Sequence, residues 1–139
     1  MTDTVPVPFP APGSQARNFA GMAQLFGCLG WISVLGAIAC PLVLYFIKRD
    51  EEPFVAFHAL QATLFQVITL GVVVVVVPLV VMTCVLIPLL PVGLLAWLFF
   101  CILGTTAAFR GQWARYPLVG QWALDHVIAR HAARVGSPS

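Results

Sequence analysis

Two long stretches of this chain contain no charged residue, and every possible fold has to be arranged around them. Asn18 to Ile47 runs for 30 residues, and Pro53 to Phe109 for 57, without a Lys, Arg, Asp or Glu. Only 9% of the 139 residues are charged and 60% are hydrophobic, whereas soluble domains carry about 25% charged residues. Such a chain cannot cover an aqueous surface, and it falls in the membrane class. A helix needs about 20 apolar residues to cross the hydrocarbon core. The first window then holds one span, and the second holds two spans and a turn. The expected fold is an all-α membrane protein with three transmembrane helices, at about 19–47, 54–81 and 87–109. Six consecutive valines, Val72 to Val77, read as helix despite their strand preference, because a lone strand in lipid leaves its backbone groups unpaired.

The remaining segments divide around this core. Residues 1–17 carry prolines at 6, 8, 10 and 12 and read as a flexible extended arm. Met1 to Ser14 contains no basic residue, which argues against a removable signal. Residues 18–109 form the three-helix domain, with Pro41 and Pro78 expected to kink or end their helices. Residues 110–139 form a basic, aromatic tail. Within it Leu118, Trp122, Leu124, Val127, Ile128 and His131 fit an amphipathic helix lying on the membrane interface. Lys48, Arg49, Arg110, Trp113, Arg115, Tyr116 and Trp122 are the expected interfacial anchors.

Small residues at Ala23, Gly27, Gly30, Ser33 and Ala37 share one stripe of the first span, a face on which another helix can pack closely. In Lys48-Arg49-Asp50-Glu51-Glu52 the cations end one helix and the acids begin the next, which complements the partial charges of the two helix ends. With three spans that turn shares a side with the tail. The positive-inside rule then puts the N-terminus outside and the C-terminus in the cytoplasm.

His58, Gln61, Gln66 and Thr69 lie on or beside one stripe of the second span and form a candidate polar contact surface. Polar groups at that depth face other helices or water. His58 can bond a neighbouring helix, meet a partner or line a cavity, or carry protons or a cofactor. The cysteines at 28, 40, 84 and 101 lie in apolar runs without CxxC spacing and read as small hydrophobes. AIAC at Ala37 to Cys40 is a poor lipoprotein box, with Ala37 where a leucine is expected. Catalytic signatures are missing, so an enzyme is not expected, and no metal or cofactor is implied.

At PFVAFHALQATLFQ (Phe54, Val55, His58, Gln61, Ala62, Phe65, Gln66) and AAFRGQWARYPL (Ala108, Gly111, Arg115, Tyr116, Pro117) the chain resembles a Tic-twenty-like family of small bacterial membrane proteins. The resemblance runs from about Asn18 to Val127. It implies an integral membrane architecture and, for the plastid relative, association with a protein-import pore; it supplies no catalytic residues. The functional expectation is a non-catalytic subunit or scaffold of a larger assembly in the bacterial cytoplasmic (inner) membrane. The alternative is a translocation or permeation component whose copies surround a polar path. Expected partners are the lipid bilayer and a membrane protein or further copies of the chain, with no nucleic acid.

Overall fold

The computed structural model describes residues 7–28, 33–84 and 87–136. Five helices follow in order: α1 (Ser14–Cys28), α2 (Val34–Lys48), α3 (Pro53–Thr83), α4 (Leu89–Phe109) and α5 (Gly120–Val135). No strand occurs among the described residues.

The second and third expected spans lie close to their predicted limits. Pro53 opens α3 in its first turn, where its missing N–H costs nothing. Pro78 lies inside α3 without ending it, and Cys84 closes the helix in a left-handed conformation. Pro88 caps α4 and Pro91 sits in its first turn. These two helices are long and apolar enough to cross a membrane.

The first expected span is not one helix, so there are two such helices and not three. Its window holds α1 and α2, each of 15 residues. At 1.5 Å per residue each is about 22 Å long, short of the roughly 30 Å hydrocarbon core. Ser33, expected on a packing stripe, starts α2 instead: its Oγ accepts from the Gly36 N–H at 3.1 Å. Gly30 lies outside the described residues. The two short helices turn back on each other, since Lys48 at the end of α2 lies 5.8 Å from the Phe19 ring near the start of α1. They form a hairpin that packs against α3, with α1 also against α4.

The molecule is therefore divided along α3. Residues Phe54 to Thr63 are buried in an unbroken run, enclosed by α1, α2, α5 and the segment after α4. Beyond Gln66 the same helix is largely exposed, as is the first half of α4. A packed helical head thus carries a two-helix apolar arm. All seven Lys and Arg residues lie in the head or on its connections. Arg17 packs beside Gly111 at the end of α4, and Arg130 reaches Asp50 at 3.1 Å. The start of α1 and the end of α4 share one end of the molecule. The expected sidedness of the two termini rested on three crossings, whereas two helices are long and apolar enough to cross.

The described part of the N-terminal arm is largely exposed, but its Phe9 stacks on Trp113 at 5.3 Å and meets His131 edge-on at 5.1 Å. The C-terminal helix exists, but its apolar stripe is divided. Ala123, Leu124 and Val127 pack on the protein core, with Ile128 at its edge, while Leu118 and Trp122 remain exposed. The helix covers the head's own core, and Leu118, Trp122 and His131 of the expected stripe remain exposed.

Candidate functional site

The polar residues of α3 converge on the junction between head and arm. His58 and Gln61 are both 0% exposed. His58 Nε2 lies 3.0 Å from the Gln112 carbonyl, so this nitrogen carries the proton in the bond. Its Nδ1 is 3.4 Å from Gln24 Nε2 on α1, and the rings of Phe54 and Phe57 flank it at 4.7 and 5.0 Å. Gln61 holds the segment after α4 by its backbone: Nε2 donates to the Ala114 carbonyl and Oε1 accepts from the Tyr116 N–H, both at 3.2 Å. One turn further along, Gln66 Nε2 donates to the Gly27 carbonyl at 2.6 Å.

Gln24 closes the network, accepting from the Tyr116 hydroxyl at 3.0 Å. Sequence reasoning missed this residue. Its signal was present: it is a buried amide in a charge-free window, as Gln61 and Gln66 are. The carbonyls of Gln112 and Ala114 had no such signal, since any residue supplies a carbonyl.

The tertiary packing that admits Tyr116 depends on glycine. A methyl group at Gly104 would overlap the Tyr116 hydroxyl and ring, so α4 receives this side chain only where a Cβ is missing. Gly111 has φ +74°, a conformation that reverses the chain after α4 and that side chains rarely adopt. Trp113 and Tyr116, expected as interfacial anchors, are instead buried. Trp113 lies 5.1 and 5.3 Å from Phe54 and Phe57, inside the head. Their amphipathic rings find polar partners or aromatic neighbours within the protein, which sequence position near a span end does not distinguish from an interface.

The remaining candidates are dispersed. Thr69 lines an apolar wedge between α3 and α4, about 950 Å³ in volume, with Gln66 and Phe100 near its inner end. Ala23, Gly27 and Ala37 are buried at helix contacts. Lys48 pairs with Glu51 at 2.7 Å, and Arg49 lies 5.0 Å from the Phe46 ring. Arg110 closes α4. Arg115 bonds Gln121, and Trp122 stacks on His126 at 5.3 Å. Asp50 gathers Arg49, Arg130 and, through its carbonyl, Arg134. Asp50 and Glu51 thus pair with cations, and the N-cap of α3, Glu52, makes no side-chain capping bond. Among the described residues no three His, Cys, Asp or Glu side chains converge where an ion would sit.

The arrangement is a fastener. A histidine and three glutamines tie one connecting segment and a helix hairpin to the base of α3, in the only part of that helix enclosed on all sides. Comparison with known families matches residues 15–123, nearly all of the head and arm, to the magnetosome magnetite crystal formation protein family (MamF/MmsF). The chain belongs to that family. This corrects the Tic-twenty-like resemblance, which rested on two short motifs. Those motif residues mostly build the head: Phe54, Val55, His58, Gln61, Ala62 and Ala108 are buried in it, and Tyr116 enters it beside Gly104. Packing demands of this kind recur wherever a short segment must be held against a helix base, so they do not single out a family. No curated protein and no solved structure matches the chain. The family membership and the two long apolar helices together make this a membrane protein of the magnetosome magnetite group.

Proposed function

We propose that this MamF/MmsF-family chain is a non-catalytic structural component of the magnetosome membrane, acting in magnetite crystal formation as a subunit or scaffold of a membrane assembly. The two-helix arm anchors it in the bilayer. The head presents the charged surface of α5 and the 48–52 turn on one side, which the positive-inside rule assigns to the cytoplasm. Both ends of the described chain, near residues 7 and 136, then face that side.

The observation that carries this reading is the closed polar network. His58, Gln61, Gln24 and Gln66 direct their polar groups at partners in the same chain. That supports a role in holding shape, and it speaks against permeation along the stripe, because a conducting path needs polar groups facing water.

Removing the chain from a magnetite-forming host should change crystal size or shape in electron micrographs, and unaltered crystals would count against the role. In mild detergent the protein should migrate as a complex. A lone chain without a co-purifying partner would sink the scaffold reading, and ion or solute flux through reconstituted vesicles would replace it with the permeation one.

A further inference from the structure

The four cysteines look alike in the sequence, but the fold separates one pair from the rest. Cys40 and Cys84 are exposed on different helices. Cys28, at the tip of α1, faces α4: its Sγ lies 3.7 Å from Thr105 Oγ1, and that hydroxyl donates to the Cys101 carbonyl at 2.8 Å. Cys28 therefore sits over the turn of α4 that begins with Cys101, which brings the two thiols into one neighbourhood of the α1–α4 contact. The helices are already close here. Gly21 lies against the Phe109 ring one turn or more below, and Gly104 admits Tyr116 beside them.

The surroundings limit what can react with this pair. It lies where the head meets the arm, out of reach of the charged surface. Neither cysteine lines the apolar wedge, but its lining includes Phe100, the residue before Cys101, and Gln66, which bonds the carbonyl of Gly27, the residue before Cys28. An oxidant arriving by that route must dissolve in hydrocarbon and accept two electrons.

We propose that Cys28 and Cys101 form a reversible disulfide, with a membrane-dissolved quinone as oxidant. Each thiol gives up one proton and one electron, a sulfur–sulfur bond forms, and the quinone takes up both protons and both electrons to become a quinol. The bond ties the hairpin tip to α4, a junction otherwise held by side-chain packing and the Cys28–Thr105 contact. A dithiol reductant reverses it by exchange. The inference stands apart from the proposed function, since it concerns the reactivity of two side chains and not the role of the molecule.

The test uses the full chain carrying Cys40→Ser and Cys84→Ser in lipid nanodiscs, exposed to decylubiquinone, whose fully substituted ring cannot be attacked by a thiol to form an adduct. Both remaining thiols should become resistant to N-ethylmaleimide under denaturing conditions. The chain mass should fall by about 2 Da, the two hydrogens lost in forming the bond, and return with dithiothreitol. One quinol should appear per chain by absorbance. Further substitution by Cys28→Ser, or separately by Cys101→Ala, should abolish quinol formation while leaving the helical circular dichroism unchanged. Full maleimide labelling after quinone exposure would overturn the proposal. So would disulfide-linked dimers in place of the intramolecular bond, or equal quinol yield from the single-thiol variants.

Discussion

Gln61 illustrates how a membrane protein uses a single amide. Its two bonds satisfy the part-buried Ala114 carbonyl and the buried Tyr116 N–H. Gln61→Leu keeps the volume and removes both bonds, so each backbone group bears its own desolvation cost. The expected loss is about 2–4 kcal/mol from two such groups, read as a lower unfolding midpoint in detergent, with earlier exchange of the 112–116 amides. An unchanged midpoint would mean that water or another side chain takes over. Glycine supplies the complementary case. At Gly104 a methyl group meets Tyr116, whereas at Gly93, on the same helix, it meets nothing within 4 Å. Gly104→Ala should destabilise by about 1–3 kcal/mol through overpacking. Gly93→Ala should lie within about 0.5 kcal/mol of wild type. Equal effects on thermal stability would contradict the placement of Tyr116. The polar stripe of α3 was visible in the sequence because amides and imidazoles are rare in such a run. Its partners were not, since three of them are main-chain carbonyls whose position depends on where the chain returns.

At the level of elements, α5 is attached to the α2–α3 turn through one aspartate. The Arg130 hydrogen bond, followed by the nearby charges of Arg130, Arg49 and Arg134, holds the Asp50 carboxyl below its ordinary value of 3.8. A depressed carboxylate favours the docked state at any pH above the undocked value, and this contribution is lost as pH falls through the lower, docked one. Docking of α5 should therefore be independent of pH near neutrality and weaken below about pH 4. Hydrogen exchange of the α5 amides across that range checks this, and Asp50→Asn should remove the acid-dependent part. Because the pair is exposed, the effect should also shrink with added salt. The amphipathic pattern of α5 was legible from its sequence. What covers its apolar side was not: periodicity shows that a face must be buried, and a protein core satisfies that as well as a bilayer does.

For the molecule as a whole, the hairpin decides the topology. The proposed arrangement, with α3 and α4 as the two crossings and a hairpin that returns to its starting side, puts both ends of the described chain on one side of the membrane. In a chain stripped of its four native cysteines, single cysteines at Gly13 and at Gly136 should react with a membrane-impermeant maleimide from the same side of sealed vesicles. Labelling from opposite sides would restore an odd number of crossings. The first window misled because its length satisfies the span criterion while its middle contains Ser33, which can begin a helix. A 30-residue uncharged run is compatible with one long helix or two short ones, and hydropathy averages over the difference.

The sequence alone determined that this is a helical membrane chain, where its two long apolar helices run, and that its charges gather outside them. Those properties follow from transfer free energies and backbone hydrogen bonding, which act residue by residue or along one helix. Only the tertiary structure decided that α1 and α2 fold back, that the polar stripe is closed on itself, and that Cys28 lies over the turn of α4 that begins with Cys101. These depend on contacts between segments 30 to 90 residues apart, such as Gln24 with His58 and with Tyr116. No local pattern encodes them, because many partners at that distance would satisfy the same side chain.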